Sequence, residues 1–152
     1  MMPPANACAL ARVPFIFQLP TTSDRRIIIL AHEDWHPGVV GIVCSRLVEL
    51  FHRPTVLLQR CADVIKGSAR SIDGYSIHAG LAAVGQHLLT HGGHDMAAGL
   101  SMRLDAYDLF VQALTEHANA NIPAADLVGQ ISFDCEAVLQ EIDQAAARAL
   151  TG

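Results

Sequence analysis

The chain lacks a basic excess. Ten Lys and Arg residues face fifteen Asp and Glu residues, for a formal net charge of −5. A protein that held nucleic acid by bulk electrostatics would be basic, so any such contact must be local or must rely on a partner domain. Charged residues make up only 16% and hydrophobic residues 51% of the 152. That excludes a disordered chain and fits one folded domain with an added element. No apolar run reaches the roughly 18 residues of a membrane span. No basic stretch precedes the first apolar residues, so a secretory signal is not expected either. The four cysteines, Cys8, Cys44, Cys61 and Cys135, stand far apart and form no CxxC pair, as expected of buried thiols in a reducing cytoplasm. A Walker loop, a Rossmann glycine fingerprint and a Ser-His-Asp order are also missing. Asp34, Asp63, Asp73 and Asp95 are too scattered to hold a pair of metal ions.

What is present alternates between apolar runs and helical periodicities. In residues 1–23, Pro14 and Pro20 interrupt the apolar residues, which predicts an irregular tail. Ile27-Ile28-Ile29-Leu30-Ala31 is β-branched and wholly apolar, the pattern of a buried strand. Pro37 and Gly38 open a helix over about 38–51, with Val39, Val40, Val43, Leu47 and Leu50 on one broad face. Gly41 and Ser45 on that helix permit close approach to a neighbour. Thr55 to Leu58 and Val64 to Ile72 read as further strands. Strand, helix and strand in that order predict an α/β fold with a mixed, mostly parallel sheet of about four to five strands flanked by helices. Ile77, Leu81, Val84 and Leu88 predict a helix from a Ser76 cap to about Thr90, with Gly92 at its C-terminal end. Ala97 to Leu104 reads as a strand, and Asp105 as the cap of a helix over about 106–118. A linker at 119–123, a short strand over 127–133 and a last helix after Asp134 complete the expectation.

The densest chemistry lies in Lys66-Gly67-Ser68-Ala69-Arg70-Ser71 and in Gly92-Gly93-His94-Asp95-Met96-Ala97-Ala98-Gly99. Glycine lets a backbone come close to a ligand. Bare amides, a hydroxyl and an arginine suit a phosphate or a carboxylate. Arg70 can also be an ordinary exposed strand arginine, and Lys66 a solvated lysine. His32-Glu33-Asp34-Trp35-His36 matches the HExxH spacing of zinc peptidases. The preceding strand and Pro37 argue against a helix there, and a ligand-binding loop at a strand end fits better. His87 and His91 could share a helical face, with His94 and Asp95 beyond the glycines.

Three separated stretches resemble a known family. Trp35-His36-Pro37-Gly38-Val39-Val40-Gly41-Ile42-Val43-Cys44-Ser45-Arg46-Leu47, followed by Arg53-Pro54, is similar to the start of the DHHA1 domain of RecJ-type exonucleases specific for single-stranded DNA. The Lys66–Ser71 and Gly92–Gly99 motifs resemble the next two motifs of that domain. The resemblance covers about residues 27–118 and divides the chain into a tail at 1–23, a DHHA1-like domain at 24–120, and a segment at 121–152 leading toward an OB-type domain.

It implies an enzyme acting in DNA repair and recombination, in which a DHH domain holds manganese or magnesium and activates water. DHHA1 then grips the nucleotide chain from across the cleft. By position, Gly67, Ser68, Arg70, Ser71, Gly92, Gly93 and His94 would bind substrate, with His94 bordering the scissile phosphate and His36 near the domain interface. The DHH motif and its aspartates are absent from this sequence. No cofactor is therefore expected in this chain, and it should bind single-stranded DNA weakly and show little nuclease activity without the DHH and OB-type domains. A cytoplasmic location and no membrane partner go with that reading. Two alternatives stay open: the DHHA1 part of an oligoribonuclease or cyclic-dinucleotide phosphodiesterase, and a non-catalytic binding module.

Overall fold

The computed structural model describes residues 25–61 and 63–129. Five strands form one sheet: β1 (Ile28–His32), β2 (Thr55–Cys61), β3 (Val64–Arg70), β4 (Thr90–His94) and β5 (Ala97–Arg103), in the order β1-β2-β3-β5-β4. Three α-helices join them: α1 (Pro37–Phe51), α2 (Ile77–Ala83) and α3 (Tyr107–Asn121). No helix among the described residues is long and apolar enough to cross a membrane.

The expected α/β architecture with a mixed sheet is what forms, but its strands are not mostly parallel. Only β1 and β2 run parallel, joined by α1; the β2/β3, β3/β5 and β5/β4 pairings are antiparallel. Loop length decides the β2/β3 and β4/β5 pairings. A parallel neighbour needs a crossover of a dozen or more residues, whereas a link of a few residues can only return antiparallel. Cys61 and Val64 are separated by such a link, as are His94 and Ala97.

Alternate residues of β2, β3 and β5 face the larger core. Val56, Leu58, Ile65, Ala69, Ala98, Leu100 and Met102 pack against Ile77 and Leu81 of α2 and Phe110, Leu114 and Ala118 of α3. On the opposite face a smaller cluster forms, in which Val40, Cys44 and Leu47 of α1 cover Leu57. Helix α1 packs on β2 and β3, so among the described residues no helix covers the β5–β4 half of that face.

Several boundaries differ from the sequence pattern. The helix predicted to run to Thr90 ends at Ala83. Ile77, Leu81 and Val84 are buried as their spacing predicts. Beyond a short 3-10 turn at Gly85–His87, however, the chain is captured by β5: the Leu89 amide donates to the Ser101 carbonyl, and Thr90–His94 pair as a strand. Gly92 is thus a strand residue, not a helix cap. Asp105 does not cap α3. It sits in a 3-10 turn and accepts from the Arg103 guanidinium at 2.8 Å, and α3 starts without a side-chain cap. Residues Ala124–Leu127 form a 3-10 turn where a strand is predicted to begin. Val128 and Gly129 are not in a strand; the tail, residues 130–133 and the last helix lie outside the described residues.

Candidate functional site

Strand register builds the site. Across β3, β5 and β4, Arg70 stands opposite Ala97, which stands opposite His94. Ser68, Gly99 and Gly92 form the next row, and Lys66, Ser101 and Thr90 the one after. Cross-strand partners share a face, and so do alternate residues along a strand. All nine therefore lie on the face that α1 only partly covers. Adjacent strands are about 4.8 Å apart, so Arg70 and His94 are rooted roughly 10 Å apart, with a single small residue between them. Lys66, Arg70 and His94 are the ionisable residues of these rows, which hold no Asp or Glu.

Helix α1 prepares the arginine end. A Cβ on Gly41 would stand 3.1 Å from Arg70 Nη2 and 3.6 Å from Ser68 Oγ, so the missing side chain gives both groups room. The Arg70 guanidinium donates to the Ala69 carbonyl at 2.9 Å and makes no ion pair among the described residues. Cys44 lies beneath, its thiol donating to the Ser68 carbonyl at 3.2 Å. Burial pushes that thiol up to about 12, against a hydrogen bond from the Leu57 backbone and the pull of the Arg70 charge. Cys44 is accordingly a neutral spacer and not a nucleophile.

The histidine end is held by the β4–β5 hairpin. The Ser76 hydroxyl accepts from the Ala79 amide and donates to the Asp95 carboxylate at 2.6 Å, while the Ile77 amide donates to the Asp95 carbonyl. The Ser71 amide donates to the Met96 carbonyl. These bonds tie the turn after His94 to α2 and to the end of β3, and they give Asp95 a structural task. His94 itself is exposed.

The glycines sort into two kinds. A Cβ on Gly67 would collide with the Leu57 carbonyl oxygen and Leu58, on the core side of the sheet. Gly93 has φ +143, and a Cβ there would strike the Ala97 carbonyl oxygen. Both residues are glycine for packing. Among the described residues, Gly92 has nothing within 4 Å of its Cβ position, and Gly99 only the Gly67 carbonyl at 3.8 Å. These two face open space beside Ser68.

The expected site residues are thus divided. Ser68, Arg70, Gly92 and His94 share one face. Gly67 and Gly93 support it from the other face. Ser71 is 3% exposed and its hydroxyl donates to the Tyr75 carbonyl at 2.6 Å, so it is not free for a ligand. His36 is the N-cap of α1, with Nδ1 accepting from the Gly38 amide at 3.1 Å, and stands outside these rows. His32 ends a strand and His36 caps a helix, so the HExxH spacing does not sit on one helix. His87 is in the 3-10 turn while His91 is on β4, in the Leu100 row of the other face with its ring near His78. The helical-face pairing of His87 with His91 therefore does not form. No group of three or more His, Cys, Asp or Glu among the described residues is placed to hold a metal ion. Lys66 and Gly99 lie within the two sequence motifs but not among the expected substrate contacts, and Ser101 and Thr90 lie in neither. Counting by twos from Arg70 reaches Lys66, but only the register adds the other strands.

The described residues form a small α/β domain whose sheet face carries an arginine and a histidine in one row and no acid in the rows beside them. The chain belongs to the DHHA1 domain family, which matches residues 24–120. It is 37% identical over 146 residues to the single-stranded-DNA-specific exonuclease RecJ of Dickeya dadantii, covering 88% of this chain and 24% of that protein. It is 38% identical over 112 residues to RecJ of Escherichia coli, covering 70% of this chain and 19% of that one. The fold superposes on crystalline RecJ of Thermus thermophilus in complex with Mn2+ with a TM-score of 0.65 at 31% identity, over 75% of this chain and 17% of that one. The chain therefore spans about a quarter or less of the length of the relatives it matches.

Proposed function

We propose that this chain is the substrate-gripping part of a RecJ-like 5′→3′ exonuclease and holds a single nucleic-acid strand by its phosphates on the β3–β5–β4 face. The observation that carries the reading is the row Arg70–Ala97–His94 beside Ser68, Gly99 and Gly92. A guanidinium offers a fork of donors to a phosphate, the Ser68 hydroxyl adds one more, and the two bare glycines let a sugar-phosphate backbone lie close. His94, at the far end of the Arg70 row, would border the scissile group.

Among the described residues no metal site forms: Asp95 is engaged by Ser76 and the rows offer no carboxylate. Manganese or magnesium would be held by a DHH domain across the cleft, where it would activate the attacking water. This chain contributes grip and orientation. The setting would be cytoplasmic DNA repair and recombination.

Fluorescence polarisation of a labelled, 5′-phosphorylated single strand with the intact chain tests this. Weak, salt-sensitive binding is expected, falling roughly tenfold or more in Arg70→Ala, with no digestion in manganese. An Arg70→Ala variant that binds as well as its parent, or a parent that digests the strand unaided, would sink the reading.

A further inference from the structure

Lys66 is the one lysine in the sequence; the other nine basic residues are arginines. Most of the described arginines are engaged within the chain. Arg26 bonds to Asn119, Arg46 pairs with Glu49, Arg60 lies over the Tyr107 ring, and Arg103 pairs with Asp105. Lys66 makes no ion pair among the described residues and is exposed. It sits on the same strand and face as Arg70, with Ser68 between them. Beside it in its row, the Ser101 and Thr90 hydroxyls hydrogen-bond each other at 2.7 Å.

We infer that Lys66, Ser101 and Thr90 form a second phosphate subsite, so that a single strand bound at Arg70 runs along β3 rather than across the sheet. The inference rests on the function proposed above and gives the bound strand its direction. Alternate residues of a strand are spaced by roughly 6.6 Å, close to the phosphate-to-phosphate repeat of an extended single strand. Arg70 and Ser68 thus hold one phosphate, and Lys66, one such step beyond Ser68, presents a donor to the next. Lysine suits the outer position, since a flexible point charge can follow a mobile phosphate, whereas the planar arginine fixes one. The run ends at the following row, where Arg103 is already tied to Asp105.

The test titrates the isotopically labelled full chain with two probes, followed by amide chemical shifts. Thymidine 5′-monophosphate should move Ser68, Arg70 and Gly99. A short 5′-phosphorylated oligothymidylate should move these and also Lys66, Ser101 and Thr90. Lys66→Gln, at an exposed position, should weaken the oligonucleotide several-fold, leave the mononucleotide unchanged, and lower the log–log salt slope by about 0.7. If the oligonucleotide moves the Arg70 group but not the Lys66 group, or if Lys66→Gln binds it unchanged, the subsite is overturned while the interface stands. If neither probe moves Ser68 or Arg70, the interface itself fails and takes the subsite with it.

Discussion

The two faces of the β3–β5–β4 sheet are built from the same strands, yet they obey different rules. Ile65, Ala69, Ala98, Leu100 and Met102 point one way and are buried under α2 and α3. Lys66, Ser68, Ser101, Gly99 and Thr90 point the other way, and no apolar side chain in their rows is larger than Ala97. The alternation is that of an antiparallel sheet with one solvated face. The difference teaches that small residues carry opposite meanings on the two sides: Gly67 is small because something is there, and Gly99 because nothing is.

The largest effect expected from this contrast falls on the buried face. Phe110 is fully buried at the centre of the larger cluster. Phe110→Ala should cost about 3–5 kcal/mol, a large share of the roughly 5–15 kcal/mol that holds a domain together. Ile42, on the solvent side of α1, is 72% exposed, and Ile42→Ala should change stability by less than about 0.5 kcal/mol. Urea unfolding of both variants checks the ranking, and a comparable loss in each would mean that α1 is covered in solution.

The sequence reveals some of this architecture and hides the rest, for identifiable reasons. The β1–α1–β2 unit is legible because the Ile27–Ala31 run, the Pro37 start and Pro54 mark its boundaries locally. Ser68 and Arg70 are legible as neighbours on one strand face. The β4 strand is not, because Thr90-His91-Gly92-Gly93-His94 has no β-branched or aromatic residue apart from Thr90, and all five are exposed. Its conformation comes from pairing with β5, a contact between strands rather than a local preference. The same holds for Gly99, whose place beside Ser68 exists only in the register. Gly67 and Gly93 look like ligand glycines in the sequence, since a glycine required by packing and one left bare for a ligand are the same letter.

A second, intermediate effect compares the two faces through their buried acids. On the α1 side, burial lifts the Cys44 thiol from 9.0 to about 12. On the α2/α3 side, burial lifts the Tyr75 phenol from 10.0 to about 12, and its hydroxyl is 3.0 Å from His117 Nδ1. Both groups are raised in the fold, so the native state holds protons that the unfolded chain has already released. Stability is then fully present below the unfolded values and is lost as pH rises toward the folded ones. The urea midpoint should be level up to about pH 9 and fall between 9 and 12. In Cys44→Ala the fall should start nearer pH 10, where the unfolded tyrosine begins to ionise. A midpoint level throughout that window in the parent would show that neither group is shielded as described.

The smallest effect on stability should come from Gly99→Ala, and it is the sharpest probe of the open face. Gly99 has no positive φ, and its added methyl would meet only the Gly67 carbonyl at an ordinary 3.8 Å. Replacing glycine where the backbone is compatible narrows the unfolded ensemble, so the variant should be unchanged or more stable by up to about 1 kcal/mol. The methyl nevertheless stands between Ser68 and Gly92, in the middle of the surface on which the strand is proposed to lie. Binding of a 5′-phosphorylated single strand should therefore weaken while the melting temperature holds or rises. Such a separation of binding from stability would not follow if Gly99 were glycine for packing, as Gly67 is. If Gly99→Ala binds like its parent while Arg70→Ala does not, the strand touches the arginine without settling onto the glycines, and the grip is a point contact at one end of the row.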